Sequence, residues 1–230
     1  FTLGITDFSM YSFASQMLTV VNMFITPISM TLYSHLSRRK DHEFEVKVKR
    51  LLVTILMLMP VAIYVIMFII NVFMSKYNRT ISLVSVLLIT QIFLSLNLTV
   101  FVNLYKTYKM QGTYMKSLLI AFCVAGVLDF IVAILCPNAV LYAAATLVSC
   151  LIWLCINEKN FLYMKPTLRD ITYIIILLSL FAILNMFENV LIRALVYIIV
   201  YFMLTLVIRK DEWKYMANIL KKGTTKIMHR

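Results

Sequence analysis

The sequence predicts an all-α chain, a polytopic membrane helix bundle of about seven transmembrane helices. Three observations lead there. Of the 230 residues, 62% are apolar and only 14% are charged, whereas ordinary globular chains hold about 45–50% and about a quarter. The apolar residues fall in seven runs, at about 8–36, 51–74, 81–105, 114–135, 139–156, 171–187 and 190–208. Lys and Arg alternate between poor and rich connections along the chain.

Each run is read as a helix because period-2 alternation is absent and the runs are too long for strands. A span needs roughly 17–25 helical residues, and backbone groups in hydrocarbon must be satisfied within the segment. The first and second runs contain Pro27 and Pro60, each expected to bend its helix by deleting a hydrogen bond. The fourth connection is the short Cys136-Pro137-Asn138 turn. The sixth run ends at Phe187-Glu188-Asn189 and is the shortest. The sixth and seventh runs, mostly Ile, Leu, Val and Phe, read as peripheral and lipid-facing.

Orientation follows from the basic residues. Odd-numbered connections and the tail hold 19 of the 22 Lys and Arg. The positive-inside rule then places the N-terminus outside and the C-terminus in the cytoplasm. The largest inner connection, residues 37–50, is charged and carries no nucleotide signature. Three regions are expected: a cavity-lining bundle of five helices over 1–158, two peripheral helices over 159–208, and a basic cytoplasmic tail over 209–230. In the tail, Trp213, Met216 and Leu220 recur at helical spacing among lysines. That pattern suits a short amphipathic helix on the inner leaflet or a frayed terminus. The chain opens without a Met or a secretory leader and reads as a fragment of a longer protein.

The net charge of +12 is accounted for by topology and anionic lipid headgroups, and no nucleic-acid partner is expected. Cys123, Cys136, Cys150 and Cys155 form no C-x-x-C pair, so neither a disulfide framework nor a zinc site is expected. No H-E-x-x-H, G-x-S-x-G or Walker-type loop occurs. His35, His42 and His229 form no cluster. The expectation is therefore a protein that is not an enzyme, with no catalytic residue, metal or cofactor.

Polar side chains in hydrocarbon are costly unless they meet a partner or water. In the first run Ser12, Ser15, Thr19, Asn22, Thr26, Ser29 and Tyr33 recur at alternating steps of three and four. Such a repeat drifts only about 20° per heptad, so all share one face; Gln16 flanks it. In the third run Gln91, Ser95, Thr99, Asn103 and Thr107 step by four, which winds about 40° per step on an ideal helix. Asn97 lies off that series and Lys106 lies at its inner end. The stripes suit either a packed polar interface or the wall of a hydrated cavity. Lys106 suits a phosphate contact or an ordinary snorkelling flank. In the fifth run Tyr142, Thr146, Ser149 and Trp153 lie beside Ala143, Ala144 and Ala145, which permit close helix approach. Asp129 and Arg193 remain as an ion site, a structural pair or groups near the wet interface.

Residues 3–38, with Gly4, Tyr11, Ser12, Ala14, Pro27 and Leu36, resemble a helix of bacterial polysaccharide flippases in the multidrug/oligosaccharidyl-lipid/polysaccharide exporter superfamily. Residues 77–111 resemble a later helix and basic turn of that family. LYAAATLVSC resembles its recurrent "G-a-A-x-A-T-x-i-s" helix start, with Leu141-Tyr142 where glycine is frequent. The resemblance implies two lobes rocking about a central cavity, of which this chain is the C-terminal lobe plus two extra helices. It implies a multi-pass protein of the bacterial cytoplasmic membrane that flips a polyprenyl-diphosphate-linked oligosaccharide for polysaccharide biosynthesis. Gln16, Asn22, Thr26, Gln91 and Asn103 would bind the sugar and Lys106 the diphosphate. Expected partners are membrane lipid, the N-terminal lobe and polysaccharide-assembly proteins. Two alternatives stay open: a multispan polymerase or glycosyltransferase of polysaccharide assembly, and a drug or ion exporter of the same superfamily, for which Asp129 is the relevant residue.

Overall fold

A computed structural model describes residues 4–38, 41–210 and 212. Among them every regular element is helical, with no strand. The α-helices are α1 (Ile5–Arg38), α2 (His42–Leu56), α3 (Met59–Phe73), α4 (Ile81–Leu96), α5 (Val102–Thr107), α6 (Gln111–Leu135), α7 (Ala139–Asn160), α8 (Leu168–Leu184) and α9 (Val190–Ile208). A 3₁₀ segment, Ser75–Thr80, leads into α4. A π segment, Asn97–Phe101, joins α4 to α5 without a break in the rod.

Five helical stretches are long and apolar enough to cross a membrane: His42–Phe73, Lys76–Thr107, Gln111–Leu135, Ala139–Asn160 and Val190–Ile208. Helix α1 is a sixth if its two halves count as one span. The chain is thus a helical bundle with the make-up of a multi-pass membrane protein. Helix α8 has 17 residues, at the lower limit for a span, because the helix stops at Leu184 rather than running to 187. The expected amphipathic tail over Trp213, Met216 and Leu220 lies outside the described residues, as do Arg39 and Lys40.

Both prolines act as expected. The axis of α1 turns by 42° between Asp7–Met23 and Ile25–Arg38. Pro27 has no N–H to give to the Met23 carbonyl four residues back. The break between α2 and α3 lies just ahead of Pro60, which sits in the first turn of α3. There the Leu58 N–H turns to the Ile55 carbonyl and the Val61 N–H to the Leu58 carbonyl, both at 3.0 Å. This leaves the Thr54 and Met57 carbonyls without their usual helical donors. Two tyrosines one turn apart on α9 replace them. The Tyr201 hydroxyl donates to the Thr54 carbonyl and the Tyr197 hydroxyl to the Met57 carbonyl, each at 2.8 Å.

Helix α9 is therefore not simply peripheral. Its Tyr197, Tyr201 and Thr205 are buried, while Leu195, Ile199 and Met203 on the other side are exposed. The Tyr173 hydroxyl and the Thr205 Oγ1, 2.9 Å apart, tie α8 to it. The expected inner loop is also shorter than the sequence suggested. Asp41 accepts from the Glu43 and Phe44 N–H groups at 3.0 and 3.5 Å. This N-cap starts α2 at His42, nine residues ahead of the apolar run at 51.

The centre of the bundle is α4 with its π continuation. It is walled by α1, α3 and α7, with Leu88, Val100, Phe101 and Leu104 almost fully buried. Helix α7 packs along α4 with Ala143 fully buried, a small residue that allows close approach.

Candidate functional site

The polar stripe of α1 divides into two edges, each repeating every seven residues. Ser15, Asn22 and Ser29 are half-buried, and Asn22 and Ser29 meet α4 and α5. Ser12, Thr19, Thr26 and Tyr33 are exposed, and Gln16 is exposed beside them.

The inner edge is a packed interface. The Gln91 Nε2 donates to the Asn22 Oδ1 at 2.5 Å and to the Ser95 Oγ at 3.0 Å. The Asn103 Nδ2 donates to the Ser29 carbonyl at 3.0 Å, to the Ser29 Oγ at 3.2 Å and to the Thr99 carbonyl at 2.8 Å. Amides thus close the contact between two helices that run parallel. Asn22 meets Gln91 directly and Asn103 meets Ser29, so the side-chain donors of Gln91 and Asn103 are taken up by protein while Asn22 accepts.

The outer edge is open. The Thr26 hydroxyl bonds back to the Asn22 carbonyl at 2.9 Å, and Thr19 to the Ser15 carbonyl at 3.3 Å. Both remain at the surface. Lys106 is exposed at the end of this edge, its Nζ 6.0 Å from the Tyr33 ring centroid. A polar strip of Ser12, Gln16, Thr19, Thr26, Tyr33 and Lys106 therefore runs the length of a bent, membrane-length helix. On the other side of α1 lies an apolar groove of about 540 Å³ between α1 and α2–α3, walled by Val20, Ile25, Ile55, Met59 and Ile66.

Asp129 and Arg193 are not brought together. Among the described residues no ion pair or hydrogen bond joins them. Asp129, on α6, lies within electrostatic reach of the Tyr11 hydroxyl on α1. Arg193, in the first turn of α9, acts in the same way on the Tyr64 hydroxyl of α3.

Two polar clusters escaped the sequence reading. Asn97, off the third-run series, is fully buried in the π segment. Its Nδ2 donates to the Cys150 carbonyl at 3.2 Å, and its Oδ1 accepts from the Asn157 Nδ2 at 2.9 Å. The Tyr105 hydroxyl donates to the Asn157 Oδ1 at 2.9 Å and accepts from the Asn160 Nδ2 at 2.8 Å. The signal was an Asn at mid-span. Its partner, near the end of the fifth run, gave none. The second cluster surrounds Glu45, which is fully buried and accepts from the hydroxyls of Tyr108 and Tyr163. Burial and the Glu45 carboxylate push both phenols above their ordinary range, so they stay protonated donors at neutral pH. His42 Nδ1 lies 3.5 Å from the same carboxylate.

At the same end Lys49 meets Glu158 at 2.6 Å. Asp170, just ahead of the sixth apolar run, meets Arg209 at 2.8 Å and Arg50 at 3.5 Å. Burial works against the Asp170 carboxylate. The Thr167 hydroxyl and N–H with the Arg209 and Arg50 charges outweigh it and hold its pKa below the usual value. No group of three or more His, Cys, Asp or Glu among the described residues gathers as a metal site needs. Compared with known proteins, the chain matches no family model, no curated protein and no solved structure.

Proposed function

We propose that the chain is one lobe of a transporter that moves a polyprenyl-diphosphate-linked oligosaccharide across a bacterial cytoplasmic membrane. The open polar edge of α1 carries this reading. A membrane-length helix that leaves Ser12, Gln16, Thr19 and Thr26 uncovered needs water or a polar ligand beside it. Hydroxyl and amide groups at that spacing match a sugar chain, and Lys106 at the end matches a diphosphate. The Asn22–Gln91 and Ser29–Asn103 contacts support this by keeping the helix rigid, so that rocking moves the lobe as a body. The seven-span topology, with the N-terminus outside and the C-terminus inside, and a second lobe facing the open edge belong to the same proposal. So do polysaccharide-assembly partners. The chain supplies no chemistry of its own in this scheme.

The test is the sidedness of the lipid-linked precursor. Loss of the protein strands precursor on the cytoplasmic leaflet, and surface polysaccharide falls. Replacing Gln16, Thr19 and Thr26 by Leu, Val and Val reproduces that defect at unchanged protein level. Precursor found on the outer face in the deletion strain refutes the transport reading. Normal export by the triple variant removes the edge from the path.

A further inference from the structure

We infer that this chain holds an anionic glycerophospholipid in a slot between α2, α4, α7 and α8, away from the polar edge of α1. The inference rests on the chain lying in a membrane and not on the transport reading.

The slot has a volume of about 400 Å³. Its depth is apolar, walled by Val53, Leu96, Leu151, Ile174, Ile175 and Leu178. Its mouth is charged, with Lys49, Arg50, Lys165, Arg209, Glu158 and Asp170. Three of its four helices belong to stretches of membrane-spanning length and apolarity. An acyl chain is thus the solvent that surrounds the slot, whereas water in it would face hydrocarbon on nearly every side.

The charges select the headgroup. Four cations and two carboxylates line the mouth. The adjoining recess adds Arg169 and Glu212, which leaves the excess of two positive charges unchanged. Lys49 is matched by Glu158 and by the Met164 carbonyl, both at 2.6 Å. Arg209 is matched by Asp170 at 2.8 Å and by Glu212 at 3.9 Å. Among the cations of the mouth this leaves Lys165 with no carboxylate and Arg50 with only a share of one. Arg50 shares the same Asp170 at 3.5 Å, and its Nε is buried without a hydrogen bond. The Lys165 side chain is exposed and enters no ion pair among the described residues. A lipid phosphate between Arg50 and Lys165 completes this arrangement. A zwitterionic headgroup brings its own cation to a mouth that already holds an excess of them, so the fit is to a lipid of net negative charge.

The experiment uses the full chain, delipidated in detergent, with dioleoylphosphatidylglycerol or dioleoylphosphatidylcholine added back and bound lipid counted by native mass spectrometry. Phosphatidylglycerol is retained about fivefold or more over phosphatidylcholine, the discrimination that about one kcal/mol per basic residue yields. Lys165→Glu removes that preference and leaves phosphatidylcholine retention unchanged. Ile175→Trp, at a half-exposed wall position, fills the slot and lowers retention of both lipids. Circular dichroism confirms that each variant is folded. Equal retention of the two lipids by the unmodified chain overturns the inference, and so does phosphatidylglycerol retention that neither variant alters. Thermal protection by inorganic phosphate equal to that by phosphatidylglycerol also overturns it, because the acyl slot would then contribute nothing.

Discussion

Helices α4–α5 and α6 are neighbours in sequence and both are apolar enough to cross a membrane, yet they occupy opposite environments. Of the most apolar stretch in Lys76–Thr107, 67% is buried inside the bundle; in Gln111–Leu135 the share is 6%. The first carries Gln91, Ser95, Asn97, Thr99 and Asn103, and every one of them is buried. The second presents Phe122, Phe130, Ile134 and Leu135 outward. In a bilayer, apolar character marks what can enter hydrocarbon but does not separate core from rim. Lipid tails are as apolar as leucine, so the bundle is held by amides, hydroxyls and close packing instead.

The largest expected effect comes from breaking the core side of this contrast. Asn157→Leu removes the acceptor of Tyr105 and the donor to Asn97 together, leaving two buried groups on the central helix unsatisfied. Unfolding in mild detergent is expected to lose about 2–3 kcal/mol. A loss no greater than that of a lipid-facing substitution would show that the Asn97 chain does not hold α7 to α4.

The rim of the slot offers a second, pH-dependent test. The folded pKa of Asp170 is depressed, so its contribution is present above the ordinary carboxylate pKa and disappears as pH falls through the lower folded value. Asp170→Asn is expected to cost on the order of 2 kcal/mol at neutral pH. The difference from the unmodified chain should close in acid, below about pH 4. A gap that persists there would assign the loss to packing.

Gln91→Leu sharpens the comparison from the α1 side. It deletes one interhelical amide bond and leaves the Asn22 Oδ1 without its donor, for an expected loss of about 1 kcal/mol. At the bottom of the scale lies Phe130→Leu on α6, expected within about 0.5 kcal/mol of the unmodified chain. A larger cost would mean that this face is covered by protein.

The contrast also measures what the sequence disclosed. The helical class, the bends at Pro27 and ahead of Pro60, and the polar faces of α1 and α4 were legible because each depends on local chemistry. The division of the α1 stripe into a packed and an open edge was not, since Ser15 and Thr19 differ only in which neighbour stands opposite. The burial of Asn97 was missed for a related reason. Ideal helical steps place it off the stripe, and its partner sits 60 residues away. The role of α9 was hidden too, because its two tyrosines answer a backbone defect in another helix.

The π segment at Asn97–Phe101 gives the third span a surplus residue. Each α-helical residue advances about 100°, so steps of four overshoot a full turn. The wider π turn takes up that excess, and Gln91 before it and Asn103 after it both address α1. The rod therefore consists of two separately phased halves meeting at a fixed joint. Deleting the exposed Leu98 would restore ordinary pitch and swing everything from Val102 onward by about 100°, carrying Asn103 off Ser29 while leaving the Gln91 contact in place. Any relative without this surplus would align with the chain only across a one-residue gap between positions 97 and 101, and that gap would mark proteins whose two halves keep a different angular setting.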